Sequence, residues 1–384
     1  MIPYGRQEIS QADIDAVTEV LRSDFLTQGP VVPRFEQAVA KKVGAAHAVA
    51  VNSATSALHV AVAALDVGPG DVVWTSPVTF VASANCARYC GADVDFVDID
   101  PETFNMCPKA LREKLEATPE ASRPKVVIPV HLCGMSTPAA EIAALGREFG
   151  FRIIEDASHT VGGAYKGQPV GSCAHSDITV FSFHPVKIVT TAEGGLALTN
   201  DPGLAQRMSL LRSHGVTRDP ALMTHESDGP WYYQMVELGW NYRMTEMQAA
   251  LGLSQLDRLG AFVARRNVLA DSYDSLLSGL PVTAQARQAE TLSAFHLYVV
   301  RLDLSQTAPH RTVFERLRDA GIGVNLHYIP VHLQPYYRGL GFGDGDFPEA
   351  ERYYAEAISI PLYPGLIEAD QDRVVASLRE ALVP

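Results

Sequence analysis

The chain has 384 residues, 47% of them hydrophobic and 20% charged, which sets it among globular proteins and excludes fibrous repeats and wholesale disorder. Lys+Arg 31 against Asp+Glu 44 leave a net charge of −13 with no basic run, so a general nucleic-acid binder, which needs clustered cations, is excluded. At roughly 100–200 residues per domain the length predicts two or three packed units.

Ser10 is placed to cap a helix ending near residue 21, with Ile14, Val17, Val20 and Leu21 on one face. Residues 48–51 predict a buried strand and 56–65 a helix. The uncharged stretch 43–65 is not read as a membrane span, because His47, Asn52, Ser53, Thr55, Ser56 and His59 interrupt it. Strands follow at 72–75, 94–97, 126–130, 151–154 and 178–181, with helices at 79–90 and 139–149. Short apolar strands separated by helices predict a mainly parallel sheet covered on both faces. Beyond residue 200 the pattern changes to helices at 203–212, 245–259 and 261–280. A strand at 297–302, a helix at 312–319, a strand at 324–327 and a helix at 370–382 complete it. The expectation is a large α/β domain over 1–250 and a smaller α+β domain over 251–384.

The five cysteines (Cys86, Cys90, Cys107, Cys133, Cys173) form no CxxC pair, and the first residues, MIPYGRQEIS, lack the basic and apolar regions of a signal peptide. A reduced, cytoplasmic protein is the expectation.

Only seven of the 31 basic residues are lysines, and six of those fall in helix or turn segments where a solvated charge is ordinary. Lys187 differs. In ITVFSFHPVKIVTT it follows a buried strand and sits between Val186 and Ile188. A lysine in apolar surroundings is costly unless its pKa falls or it becomes a covalent imine, and both suit a Schiff-base nucleophile. A snorkelling or ion-paired lysine is the alternative. FRIIEDASH ends a strand on Glu155-Asp156, at the sheet edge where open α/β sheets bind ligands, and a buried carboxylate there needs a cationic partner such as a pyridinium. The alternative is an aspartate capping the next helix, with His159 merely packed. AVAVNSATSALHVA runs from a strand through Asn52-Ser53-Ala54-Thr55-Ser56 into a helix, where free N–H groups and hydroxyls make an anion site or simply a cap. Ser182 adds a hydroxyl beside the lysine strand. A lysine, an acid and a phosphate cradle are together the groups a pyridoxal phosphate (PLP) site requires. Neither a Walker A loop nor a GxGxxG opening is present.

At these motifs the sequence resembles the DegT/DnrJ/EryC1/StrS sugar aminotransferases, over nearly its full length. The likeness runs through IPYGRQ, DFLTQGP, NSATSALH, TSPVTFVASANC, PVHLCG, EDASH, FSFHPVKIVTTAEGG, GWNYRMTEMQAALGLSQL and HYIPVHLQPYY. The resemblance implies the aspartate aminotransferase-like, type I fold of PLP-dependent transferases, with PLP passing to its amine form, PMP, during turnover. Lys187 would be the Schiff-base lysine, Asp156 would hold the ring nitrogen protonated, and His159 would lie near the phenolic oxygen. Phe80 would stack on the ring. Thr55, the backbone of Ala54 and Ser56, and Ser182 would hold the phosphate, joined by Asn241 from the neighbouring subunit of a homodimer. Tyr4, Leu26, Thr27, His327 and Tyr328 would line the nucleotide-sugar site, with Ser182 and Asn241 at its edge. Within the family the pattern is most similar to the transaminases of pseudaminic acid synthesis. That implies a UDP-linked 4-keto-6-deoxy sugar as acceptor and L-glutamate as donor, against the alternative of another UDP- or dTDP-linked 3-keto or 4-keto sugar. Relatives with histidine in place of the lysine are dehydratases, whereas Lys187 is kept here.

Three rival readings compete. A desulfurase needs an activated loop cysteine, and no cysteine here has an obvious base beside it. A non-catalytic module would tolerate loss of Lys187 or Asp156, and both are present. A zinc site would draw on the 12 histidines, with His327 and His332 five apart, but no HExxH or paired cysteines support it, so no metal is expected.

Overall fold

The computed structural model describes residues 1–384. Seven strands build the central sheet: β1 (His47–Val51), β2 (Val72–Thr75), β3 (Asp93–Phe96), β4 (Val126–Ile128), β5 (Arg152–Asp156), β6 (Ile178–Ser182) and β7 (Gly195–Thr199). Their order is β1-β7-β6-β5-β4-β2-β3. Only β7 runs antiparallel to its neighbours; the pairs β6/β5, β5/β4, β4/β2 and β2/β3 are all parallel. The mainly parallel sheet expected from the sequence is therefore present, and β1, β5 and β6 all end on one edge.

Alternation along the strands decides which helix each residue meets. Val49, Val51, Val73, Val126, Ile128, Ile154 and Ala197 face one layer, built on α3 (Ala54–Ala64), α4 (Ala82–Tyr89) and α7 (Pro202–Leu211). Trp74, Val127 and Ile153 face α5 (Pro108–Ala117) and α6 (Ala139–Phe149), while Ala50, Leu196 and Leu198 face α2 (Val31–Val43) and α8 (Glu246–Asp257). Helix α3 is apolar on nearly every side because it lies between the sheet and two other helices.

A second core surrounds the antiparallel sheet of β8 (Val282–Ala284), β9 (Tyr298–Leu302) and β10 (Ala357–Ile360), covered by α10 (His310–Asp319) and the C-terminal helix Glu368–Ala381. Helix α9 (Leu259–Leu276) joins the two cores: Leu259, Phe262 and Val263 pack in one, Leu269, Ala270 and Tyr273 in the other. Ile2 also packs in the second core and bridges to Ile322. No helix is long and apolar enough to cross a membrane.

Most predicted elements are present with ends shifted by a few residues. Ser10 caps α1 (Gln11–Leu21) in a capping box with Asp13. Two differ more. Residues 324–327 form no strand; Asn325 alone exchanges main-chain hydrogen bonds with Ser359. The 79–90 helix begins only at Ala82. Helices α2 and α5 and strand β7 are additional to the sequence reading. Pro33 in α2 and Pro108 in α5 each sit in a first turn, where the missing N–H breaks no intrahelical bond.

Candidate active site

Edge and cavity coincide. Tyr4, Ala54, Thr55, Ser56, Phe80, Asp156, His159, Ser182, Lys187, His327 and Tyr328 line one cavity of about 950 Å³. Three candidates lie outside it. Leu26 and Thr27 are exposed and pair through their backbone with Glu246 and Thr245, at the start of the helix whose Gln248 reaches the cavity. Asn241 is exposed and bridges to Ser213.

Glu155 and Asp156 are adjacent, so the strand's period of two sends them to opposite faces. Glu155 turns away from the cavity to Thr179 (2.8 Å) and Ser176 (3.0 Å), near His131. Burial pushes its carboxyl up, but His131 and the two hydroxyls outweigh burial and leave it below the usual range. Asp156 turns inward. Its Oδ2 accepts from Ser83 Oγ at 2.6 Å and its Oδ1 from the Ser158 N–H at 3.1 Å, and the carboxylate is 5% exposed. Thr79 Oγ1 stands 2.8 Å from Ser83 Oγ, so a hydroxyl pair on the entry to α4 holds the acid. Replacing Ser83 by Ala removes that donor. The expected outcome is an about ten-fold lower kcat with KM unchanged, the size of one hydrogen bond to a charged group, measured by steady-state kinetics.

Lys187 lies in the turn after β6, closed by Thr191 N–H to Phe183 O at 2.9 Å and Lys187 N–H to His184 O at 2.9 Å. Burial lowers its ammonium to about 7, and only the Asp156 carboxylate pulls the other way. Nζ has one partner in the chain, His296 Nε2 at 3.4 Å. Burial, and then the Lys187 charge, also hold His159 and His296 well below the ordinary histidine pKa, and His327 near 3. Three neutral imidazoles thus surround one amine. His159 Nε2 meets Tyr328 OH at 3.1 Å, while His327 Nδ1 meets Ser359 Oγ at 2.8 Å. His332, the other member of the spaced pair, is buried against Glu351, away from this cavity.

The anion cradle forms where β1 ends. Ser53 caps α3, its Oγ accepting the Ser56 N–H at 3.1 Å, and Ser56 Oγ donates to Asn52 at 2.7 Å. The N–H groups of Ala54 and Thr55 have no acceptor in the chain. Gly195 lies directly behind: a Cβ there would collide with the Ser53 carbonyl and the Ala54 nitrogen. Its place at the end of AEGG follows from that close approach.

These residues fit PLP on the structure's own terms. The cavity holds an amine whose ammonium burial lowers to about 7, an acid with two donors, and free N–H groups at a helix start. Phe80 presents an aromatic face that is 59% exposed, and the Nδ1 atoms of His159 and His296 are buried without partners. Ser83, Thr79 and His296 escaped the sequence reading. Ser83 and Thr79 are unremarked hydroxyls in TSPVTFVASANC, and His296 stands alone among apolar residues in SAFHLYVV, where a packed histidine is the ordinary expectation.

Comparison with known proteins agrees. The model of the DegT/DnrJ/EryC1/StrS aminotransferase family matches residues 7–379. The spore coat polysaccharide biosynthesis protein SpsC of Bacillus subtilis is 40% identical over 99% of this chain and 96% of its own. Among solved structures, Spr1654 of Streptococcus pneumoniae, a candidate sugar aminotransferase in its PMP form, is similar with a TM-score of 0.91 at 32% identity, covering 99% of both chains. Helicobacter pylori PseC, an aminotransferase involved in the biosynthesis of pseudoaminic acid, is similar with a TM-score of 0.90 at 29% identity, covering 99% of both chains.

Proposed function

The chain belongs to the DegT/DnrJ/EryC1/StrS aminotransferase family, a PLP-dependent sugar aminotransferase of the type I fold, and from that premise we propose that it aminates a UDP-linked 4-keto-6-deoxy sugar. The acceptor in this reading is UDP-2-acetamido-2,6-dideoxy-β-L-arabino-hexos-4-ulose, the donor is L-glutamate, and the product enters pseudaminic acid biosynthesis in the cytoplasm. The observation that carries it is the end-to-end likeness to PseC, joined to a single cavity that gathers the amine, the acid and the aromatic wall.

When bound, PLP supplies an electron sink and carries the amino group from donor to sugar. The chain's own groups do the rest. Asp156, fixed by Ser83 and Ser158, would hold a proton on the ring nitrogen. Lys187, whose ammonium burial lowers to about 7, would move the proton at the donor carbon. Ala54, Thr55, Ser56 and Ser182 would take the phosphate, Phe80 would pack on the ring, and His159 would lie near the phenolic oxygen. Tyr4, His327 and Tyr328 form the sugar-side wall, with Leu26 and Thr27 at the rim. Asn241, outside its own chain's cavity, serves the cavity of a second copy, which makes the working unit a homodimer.

A second reading is amination of another UDP- or dTDP-linked 3-keto or 4-keto sugar; the likeness to SpsC, a spore coat polysaccharide biosynthesis protein, points to no single sugar. A panel of such sugars with glutamate, followed by product mass and NMR, separates the two. The expected outcome is a kcat/KM for the UDP-linked 4-keto sugar at least about ten-fold above every other member, the size of one lost hydrogen bond in the pocket. Preference for a dTDP-linked or 3-keto sugar replaces the first reading by the second.

A further inference from the structure

Lys187 Nζ has a single hydrogen-bond partner, and no motif pointed to it. His296 lies in the segment between Thr291–Leu292 and β9, outside the strands and turns that carry Lys187, Asp156 and His159. Its backbone is clamped from two sides. Arg266, wholly buried in α9, donates from Nη1 to the carbonyls of Phe295 (3.0 Å), His296 (3.2 Å) and Leu362 (3.0 Å). Ala294 N–H donates to Gly134 O at 2.8 Å and Leu297 N–H to Cys133 O at 3.2 Å. A Cβ on Gly134 would stand 2.7 Å from the His296 nitrogen, so this wall is packed to contact. The ring is 4% exposed and its centroid is 4.4 Å from that of His159.

So much fixing of one side chain needs a reason, and packing alone would be served by an apolar residue. An imidazole whose Nδ1 is buried with no partner costs free energy at this position. Its Nε2 faces the amine. The groups around the pair are Asp156, His159, His327 and Arg266; burial first, and then the charge on Lys187, keep His296 neutral and able to accept. Were the acceptor absent, the nearest opposite charge for the amine would be the Asp156 carboxylate, and pairing there would occupy both groups at once.

We propose that His296 is a positioning residue for Lys187: its Nε2 accepts a hydrogen bond from Nζ and keeps the free amine aimed into the cavity and off Asp156. The inference rests on Lys187 being the lysine that links the cofactor. His296 lines the same cavity, and in this role it acts through the lysine.

The test compares His296→Phe, which fills the space without an acceptor, with His296→Gln, which restores one. Apoprotein is mixed with PLP, whose covalent capture needs the oriented amine, and separately with PMP, which forms no bond to lysine. In His296→Phe, covalent capture of PLP and kcat should both slow about ten-fold, the size of one hydrogen bond, while PMP affinity and the KM for the sugar stay unchanged. His296→Gln should recover most of both rates. Capture by His296→Phe at the parent rate overturns the proposal, as does Gln no better than Phe, or PMP affinity falling in parallel, which marks a collapsed wall. Reductive trapping in the parent protein reads Lys187 independently, so failure of His296 and failure of the lysine assignment are distinguishable.

Discussion

Lys187→Ala is expected to abolish transamination, lowering turnover by at least about 10³-fold, because covalent and acid–base roles fall on one amine. No other lysine is placed to substitute. Lys114 is paired with Asp95 at 2.7 Å and Lys125 with Asp71 at 2.9 Å, and none of the others lines the cavity. The variant should remain folded, since the only hydrogen bond the side chain gives the structure is the 3.4 Å one to His296. A pH signature accompanies it. Burial lowers the amine to about 7 against the pull of Asp156, and only the unprotonated amine attacks. Capture of PLP by the parent apoprotein should therefore rise with pH through a midpoint near 7 rather than at the ordinary lysine value of about 10.4. Near-parent turnover by Lys187→Ala, measured with glutamate and keto sugar, contradicts the assignment.

Asp156→Asn should lose about 10²–10³-fold in rate, the range seen when one preorganised electrostatic partner is removed. The amide keeps the shape but carries no charge to hold a proton on the ring nitrogen. It also meets donors on both sides, Ser83 Oγ and the Ser158 N–H, so its own NH₂ must face one of them. PLP affinity should fall as well, with little change in melting temperature, because the backbone N–H and C=O of residue 156 stay in place against Pro129 and His131. Single-turnover formation of keto acid is the measurement. Unchanged single-turnover kinetics would remove Asp156 from the account.

Much of this site was legible because its parts sit at strand ends, where sequence pattern is strongest. FRIIED and ITVFS read as buried strands, and the chemistry follows immediately after each. The resemblance then attached roles to Phe80 and Tyr328, which spacing alone leaves unmarked. What stayed hidden was contact between segments far apart in the chain. His296 is 109 residues from Lys187 and Ser83 is 73 from Asp156, and no local period encodes either meeting. The strand β7 opens on Gly195, which pairs with Val51 and Ser182 in the sheet and also allows the close approach of the cradle backbone, a contact that no local pattern encodes.

Borohydride reduction of the protein isolated with PLP, followed by digestion and mass spectrometry, reads the linking residue directly. A single pyridoxyl adduct on the peptide holding Lys187 is the predicted result. An adduct on Lys166 or any other lysine, or no adduct in a cofactor-loaded sample, would contradict it.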